Sequence, residues 1–410
     1  MSPNLVKLHQ YDCSKLHSDS LRTVPDFCPK LESINLQLCG QLDNDAIDAW
    51  SSKLSNTLRE VELYGPFLVR VEAWHRFFER MGSTLESFKI RESPRFDLSC
   101  AEKLAQYCPN IRELGLAQIG ALDGKVLKPL HIFDQLTYLD ISDPGVSAPG
   151  VPPKSLQPVD VKALLKEVGA NLEYLDISGN TDLDDEAILE GVKENCINLH
   201  TLKMAKLAQV TSAGLCELFR KWKNRHGGLR ILDVKRVTQL DDEALKFIIE
   251  HSGSSLQHLD LNSDEELTTD GMLALINGSK TPALHWLDVS FVRQVTDGVI
   301  MSLLDPKDGI RGLDTIRVFG CNRLVSLNLF GWEFRLTNAW PPLRRATLSS
   351  PHPRPRSSAR RRSFEHSTSV ILYRLIAYFL LSSPSTTLYF WPANSLVDHR
   401  GGWSTPMGLT

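Results

Sequence analysis

Three aspartates at a regular spacing are the residues of this chain best suited to chemistry. Asp233, Asp260 and Asp288 each follow a leucine, in the segments ILDV, HLDL and WLDV. If these segments are neighbouring strands about 4.8 Å apart, the carboxylates form an unbroken acidic row, with His258 and Trp286 beside it. Such a row could bind a basic segment of a partner protein. The alternative is that the aspartates hydrogen-bond along the strands and stay hydrated.

A sequence repeat positions these aspartates. The pattern L-x-x-L-x-L, with conservative replacements, recurs at spacings of 25 to 30 residues, with one spacing of 36. The copies begin at Leu5, Leu31, Leu58, Leu85, Ile111, Leu136, Leu172, Leu199, Leu229, Leu256, Leu284 and Leu313. The leucines of L-x-L share one face of a short strand, and a helical pattern follows each strand. The sequence therefore predicts an α/β leucine-rich-repeat solenoid of about twelve repeats, with parallel strands on the concave face and helices on the convex face.

One residue of each strand should point to the concave face, namely the residue between the two strand leucines. In successive repeats this ladder reads Asn35, Glu62, Lys89, Gly115, Asp140, Asp176, Lys203, Asp233, Asp260, Asp288 and Arg317.

The sequence at the start of each helix repeats as well, and side-chain oxygens there can accept hydrogen bonds from free backbone N–H groups. The expected N-caps are Asp43, Asp184, Asp241, Thr268 and Thr296.

The eight cysteines follow the repeat and form no CxxC pair. We interpret them as reduced, buried thiols of a cytoplasmic or nuclear protein, in a structural role and not as a metal site. The chain also lacks a Walker loop, a G-x-S-x-G elbow and an H-E-x-x-H pair. The sequence therefore predicts a protein that is not an enzyme, with no catalytic, metal or cofactor-binding residues.

Two loops in neighbouring repeats depart from the repeat pattern at the same position, just after the strand. They are LYGPFLVR, Leu63 to Arg70, and RESPRFDL, Arg91 to Leu98. Adjacent irregular loops can form a partner-binding rim. The residues expected there are Tyr64, Phe67, Leu68, Arg70, Arg95 and Phe96. The alternative is that Phe67, Leu68 and Phe96 only pack against each other.

A basic segment, RKWKNRHGGLR, spans Arg220 to Arg230 and stands out because the first 330 residues are acidic overall. With Trp222, this segment could contact a phosphate and a base. The alternative is a solvated helix end, where cations suit the helix dipole.

The pattern predicts a solenoid over residues 1–325, with a Pro/Gly-rich insertion loop at 143–158 that projects from its edge. Residues 326–410 are predicted to be a disordered tail. Residues 331–410 contain ten Arg and no Lys, which suggests a non-native segment from a retained intron or a shifted reading frame. The apolar stretch Ser369 to Leu381 is interrupted by Arg374 and is too short to span a membrane, so no membrane partner is expected.

Four segments carry a family resemblance: LQLCGQLDNDAI, LYGPFLVR, SPRFDL and VFGCNRL. Together they resemble the leucine-rich-repeat proteins of fungal nucleotide excision repair, the radiation-sensitivity protein seven family, over roughly Met1 to Arg323. The resemblance implies a nuclear, non-enzymatic subunit that recognises damage in non-transcribed DNA and touches damaged DNA at most indirectly. Family members usually have an N-terminal extension ahead of the repeats, and this chain starts inside the first repeat.

The resemblance also implies partners: a SNF2-type ATPase, an elongin-C-like adaptor and a cullin, the last two in a ubiquitin ligase. An F-box-type receptor of a Skp-type (SCF) cullin ligase is the alternative, because its solenoid would look much the same. A third possibility is a structural scaffold without ubiquitin chemistry.

Overall fold

The computed structural model describes residues 2–145, 155–305 and 307–324, and the backbone of two further strands. Twelve parallel strands of the described part form one sheet in chain order. They are β1 Lys7–Gln10, β2 Ser33–Leu36, β3 Glu60–Tyr64, β4 Ser87–Arg91, β5 Glu113–Ala117, β6 Tyr138–Asp140, β7 Tyr174–Asp176, β8 Thr201–Lys203, β9 Ile231–Asp233, β10 His258–Asp260, β11 Trp286–Asp288 and β12 Thr315–Arg317. Each belongs to one predicted repeat, so the α/β leucine-rich-repeat solenoid is confirmed.

A helical segment follows most strands and returns the chain to the next one. The α-helices are α1 Ser18–Arg22, α2 Val24–Phe27, α3 Asn44–Lys53, α4 Val71–Met81, α5 Leu98–Tyr107, α6 Gly124–Leu127, α7 Pro158–Val168, α8 Ser212–Phe219, α9 Asp242–Ser252, α10 Thr269–Leu275 and α11 Asp297–Leu303. A π-helix occupies Ala187–Lys193, and 3₁₀ turns occupy Gly82–Thr84, Lys128–Ile132 and Gly169–Asn171.

The predicted N-caps are all confirmed. Asp43, Asp184 and Asp241 accept hydrogen bonds from the backbone N–H three residues on, at 3.1, 3.0 and 2.9 Å. Thr268 and Thr296 do the same, at 3.0 and 3.4 Å. These bonds satisfy donors that the first turn of each helix leaves free.

The leucines of the strands and the apolar faces of the helices form one continuous core. All eight cysteines are free and buried in it, as predicted. Burial raises the pKa of the Cys39, Cys108 and Cys196 thiols to about 12, so these thiols stay protonated. They fill space in the core, and the thiols of Cys39 and Cys108 also donate to the carbonyls of Tyr64 and Phe78, at 3.1 and 3.6 Å.

A backbone turn after most of the strands continues the pairing between repeats. The turn residue has positive φ, and its N–H donates to a carbonyl of the next repeat, as Lys206 does to Lys235 at 2.9 Å. Gly179 is one such residue, with φ of 77°. A Cβ there would lie 2.1 Å from Oδ1 and 3.0 Å from Cα of Asp143, so any other residue would force Asp143 to move.

The predicted boundaries are described only in part. Residues 146–154 of the insertion lie outside the described residues, and α7 begins at Pro158, where the insertion was expected to end. Of the predicted tail, the structure describes β13 Glu333–Thr337 and β14 Thr387–Tyr389, which extend the sheet antiparallel from β12. The rest of 326–410 lies outside the described residues, so its disorder and non-native origin stay predictions. No helix in the described ranges is both long and apolar enough to span a membrane.

Candidate partner-binding surface

The predicted concave ladder lies in register. Asn35, Glu62 and Lys89 lie opposite one another on β2, β3 and β4, and the pairing continues without a shift to Arg317 on β12. The alternation of side chains along each strand therefore predicted the position of every residue of the ladder correctly.

The acidic row exists but is not open. Asp233, Asp260 and Asp288 are adjacent on β9, β10 and β11, and each residue is less than a tenth exposed. One carboxylate oxygen of each accepts a hydrogen bond from the backbone N–H two residues on, at 3.2, 3.1 and 2.8 Å. The aspartates thus hold the turns after the strands, and the expectation that they stay hydrated is corrected.

The charge of the row is compensated within the chain. Nζ of Lys235 lies 2.8 Å from Asp233 and 3.6 Å from Asp260. Burial, with Asp233 and Asp288 as neighbours, raises the pKa of Asp260 to about 7. Burial also raises the pKa of Asp288. The row therefore offers a partner less negative charge than three carboxylates would.

An aromatic pair lies beside the acidic row, as predicted for His258 and Trp286. Their rings stack with centroids 3.7 Å apart, and the guanidinium of Arg317 lies 5.1 Å from the Trp286 ring. Burial lowers the pKa of His258 to about 4, so the imidazole is neutral at pH 7. Both rings are half-buried and face the concave side, where a partner can cover them.

A second aromatic pair was missed from the sequence. Tyr138 and Tyr174 stack with centroids 4.1 Å apart. Nζ of Lys89 lies 4.0 Å from the Tyr138 ring, and Nζ of Lys203 lies 5.2 Å from the Tyr174 ring. The signal was present: the triplet YLD occurs at Tyr138 and again at Tyr174, the same repeat position as His258 and Trp286.

A cavity of about 240 Å³ opens on the concave face next to the tyrosine pair. Its wall includes Tyr64, Lys89, Arg91, Tyr138, Tyr174 and Lys203. Gly115 makes the arrangement possible, because a Cβ there would lie 3.1 Å from Cβ of Lys89. The lysine side chain can therefore cross β5 toward Tyr138 and pair with Glu113 at 2.8 Å.

The two irregular loops touch each other. Nη1 of Arg95 donates to the carbonyl of Leu68 at 3.1 Å, and the Tyr64 hydroxyl donates to Glu92 at 3.2 Å. Phe67 and Leu68 are 43% and 44% exposed. Arg70 is exposed too, and its backbone N–H donates to Oδ1 of Asn44 at 2.8 Å.

Phe96 requires a correction, because it does not belong to the rim. Its side chain is fully buried, with ring centroids 6.2 Å from Phe88 and 6.5 Å from Phe78. The alternative, in which Phe67 and Leu68 pack against Phe96, is also wrong, since Phe67 and Leu68 face solvent. The rim that remains is Tyr64, Phe67, Leu68, Arg70 and Arg95.

Trp222 in the basic segment is buried as well. Its ring stacks on His251 with centroids 5.3 Å apart and packs edge-on against Phe219. The predicted stacking of Trp222 on a base is therefore wrong, whereas the cations around it remain exposed.

His75, Asp97 and Cys100 are the group within the described ranges that could hold a metal ion, with ligand atoms within 4.8 Å of one another. Each already has a role in the start of α5. Asp97 accepts from the Cys100 N–H at 3.1 Å, and His75 is bonded to Ser99 at 2.9 Å. Burial raises the pKa of the Cys100 thiol to about 12, which opposes thiolate ligation. This geometry is that of a helix cap.

Comparison with known proteins gives a consistent set of relatives. No protein-family model matches the chain. The DNA repair protein rhp7 of Schizosaccharomyces pombe is 29% identical over 325 residues, covering 79% of this chain and 55% of the relative. The DNA repair protein RAD7 of Saccharomyces cerevisiae is 31% identical over 329 residues, covering 78% and 55%. The chain therefore spans about half the length of the curated relatives it matches.

A solved structure agrees with these relatives. The crystal structure of the yeast Rad7 and Elc1 complex superposes with a TM-score of 0.68 at 30% identity, covering 78% of this chain and 77% of that chain. The likeness thus extends through nearly all of the repeats.

Proposed function

Because this chain belongs to the family of DNA repair proteins that includes Rad7 and Rhp7, we propose that it is a non-enzymatic partner-binding subunit of a nuclear nucleotide excision repair complex. The proposal depends above all on its likeness to the Rad7 chain that was solved together with Elc1. In finer terms, the subunit serves global-genome repair beside a SNF2-type ATPase. It also joins an elongin-C-like adaptor and a cullin in a ubiquitin ligase.

The concave face and the rim are the proposed docking surfaces. Trp286 on the concave face and Tyr64 and Arg95 on the rim are of the residue types that dominate binding energy at protein interfaces. The stacked pairs are already ordered by the sheet, so a partner that covers them loses little side-chain entropy on binding. Phe67 and Leu68 add an exposed apolar contact at the rim.

Asp233, Asp260 and Asp288 take a supporting place in this proposal. All three carboxylates accept from the backbone, and those of Asp233 and Asp260 also contact Lys235, so we propose that they fix the shape beneath Trp286. A basic partner side chain can still approach the outer oxygens, but it must compete with Lys235.

The first test is purification of the tagged, full-length endogenous protein from ultraviolet-irradiated cells, with co-purifying chains identified by mass spectrometry. We expect a SNF2-type ATPase and an elongin-C-like adaptor. A Skp-type adaptor without the ATPase would support the F-box-type receptor and contradict the repair proposal.

Two paired variants then locate the docking surface. His258→Ala with Trp286→Ala removes the concave pair, and Phe67→Ser with Leu68→Ser removes the apolar rim. We expect at least one of them to lower recovery of the ATPase about tenfold or more, since central interface truncations cost about 2 kcal/mol or more. The matched control is Ile132→Ser with Val159→Ser, which removes two exposed apolar side chains elsewhere. Unchanged recovery in both test variants would contradict these surfaces while leaving membership in the complex intact.

A further inference from the structure

The segment Arg220–Arg230, here named the cationic loop, forms a basic surface on the described solenoid. It connects the end of α8 to the start of β9. Its exposed cationic side chains are Arg220, Lys221, Lys223, Arg225 and Arg230, with His226 among them. No acidic residue occurs between Glu217 and Asp233.

Apart from Arg220, whose guanidinium lies 4.7 Å from the centroid of the Phe247 ring, these cations have no ion-pair or ring partner inside the described protein. Among the described residues, Lys221, Lys223 and Arg225 have no carboxylate within 4.0 Å, and neither does Arg230. Arg220 lies 3.9 Å from Glu217, and that carboxylate already binds Lys193 at 2.7 Å. Elsewhere on the solenoid, cations such as Lys162 and Lys235 each contact two carboxylates. The cationic loop thus carries charge that the fold does not use.

The loop is also held in one conformation. Trp222 anchors it from below, and Oδ1 of Asn224 accepts from the N–H of His226 at 2.8 Å. A Cβ on Gly228 would lie 2.8 Å from the carbonyl oxygen of His251, so the backbone there packs tightly on the next repeat. A ligand that binds these cations therefore does not have to order the loop first.

A groove lies next to the loop. It has a volume of about 430 Å³ and is lined by Leu189, Lys193, Glu194, Ile197, Glu217, Lys221 and Lys223. Lys221 and Lys223 border it from the loop side. Glu194 and Glu217 also line the groove, and Glu217 pairs with Lys193 at 2.7 Å, so a phosphate is expected to meet Lys221 and Lys223 from the solvent side and not inside the groove.

The chemistry of the loop distinguishes between anionic partners. Protein interfaces are centred on buried aromatic and aliphatic side chains, whereas nucleic-acid backbones meet polar, positively charged surfaces. Within the loop, the large apolar side chains, Trp222 and Leu229, are both buried. The loop itself is therefore cationic without an exposed apolar side chain, the apolar Leu189 and Ile197 lying in the neighbouring groove, and Trp222 is not free to stack on a base.

We propose that the cationic loop contacts the phosphate backbone of duplex DNA, without regard to base sequence. The inference deepens the proposed function, since it presumes that this subunit works on DNA in a repair complex. The contact involves only a few phosphates, so its role is to orient the solenoid on DNA that other subunits hold.

The test compares two triple charge reversals in the full-length protein, purified both alone and with the partners that it brings down. The first is Lys221→Glu, Lys223→Glu and Arg225→Glu. The matched control is Lys125→Glu, Lys128→Glu and Lys166→Glu, which makes the same charge change at exposed lysines outside the loop. Binding to fluorescein-labelled 30-base-pair duplexes of two unrelated sequences is followed by anisotropy from 50 to 200 mM salt.

We expect the loop variant to bind both duplexes at least about tenfold more weakly than wild type at 50 mM salt. The slope of log affinity against log salt should fall in magnitude by about 2 to 3, since each lost phosphate contact removes roughly 0.9. The control should stay within about twofold of wild type. Equal binding by the two variants would overturn the inference, and so would equally effective displacement of the duplex by polyglutamate, which indicates an acidic protein partner.

The failure of this inference can be told apart from failure of the proposed function. Recovery of the ATPase and the adaptor is measured for the same preparations. Wild-type protein that brings down neither partner contradicts the proposed function, and the DNA assay on the protein alone still tests the loop. Normal recovery together with unchanged DNA binding by the loop variant contradicts the loop contact alone.

Discussion

The concave face around β9 to β11 and the cationic loop carry similar numbers of charged residues but use them in opposite ways. On the concave face, Asp233 and Asp260 are buried and share Lys235. In the loop, Lys221 and Lys223 are exposed, and neither has a carboxylate within 4.0 Å although Glu194 and Glu217 line the same groove. The difference shows that pairing with a nearby carboxylate, in the same repeat for Asp233 and in the next repeat for Asp260, decides which charged groups remain free for a partner.

The largest expected effect is the pH dependence of Asp260→Asn. The folded-state pKa of Asp260 is raised to about 7 from 3.8 by burial and its acidic neighbours. Its contribution to stability is therefore full below about pH 4 and is lost as the pH rises through about 7. The free energy of unfolding of Asp260→Asn, relative to wild type, should rise by about 2 to 4 kcal/mol between pH 4 and pH 8.

Urea unfolding of both proteins at several pH values measures this difference. Comparison with wild type cancels most of the contribution of His258, whose lowered pKa acts in the opposite direction. A difference that stays constant with pH would show that Asp260 ionises normally, and the contrast with the loop would weaken.

An intermediate effect is expected for Lys235→Met, with Lys223→Met in the cationic loop as its match. The first change leaves two buried carboxylates without their cation and should cost about 1 to 2 kcal/mol at pH 8. The value is modest because 37% of the Lys235 side chain faces water. The second change should stay within about 0.5 kcal/mol. Thermal or urea unfolding measures both losses of stability. Equal losses for Lys235→Met and Lys223→Met would contradict the difference between the concave face and the cationic loop.

The smallest effect is expected for Lys221→Gly. Lys221 has φ of 57°, a conformation that glycine adopts without strain. We expect a change between 0 and about +1 kcal/mol in the free energy of unfolding, because the relief of strain is partly offset by the greater freedom of glycine in the unfolded chain. Lys223→Gly, at a residue without positive φ, should instead destabilise slightly. The denaturant midpoints of the two variants test whether Lys221 has the positive φ that the structure shows.

The repeat architecture could be predicted because its determinants are local. The L-x-L strands, their register from Asn35 to Arg317 and the five N-caps follow from patterns of a few residues that recur. Burial in the loops could not be predicted in this way. Phe67 and Phe96 both come shortly after a proline in an irregular loop, yet Phe96 joins the core and Phe67 faces solvent.

The reason lies in contacts between distant parts of the sequence. Phe96 meets Phe78 and Phe88, which line a space left between α4 and β4. Trp222 is buried because His251, 29 residues on, offers it a flat partner. For Tyr138 and Tyr174 the sequence did hold a signal, since YLD recurs, but the stacking depends on the register of β6 and β7.

The order of the strands has a mechanical consequence. Each parallel strand from β2 to β11 pairs only with the strands of the two adjacent repeats. Pulling the ends apart should therefore peel repeats from the stack one after another, and each release of about 27 residues lengthens the chain by at most roughly 90 Å. A partner that binds both the tyrosine pair and Trp286 would connect the repeats from β6 to β11. Those repeats should then unfold together, at a higher force, and not one after another.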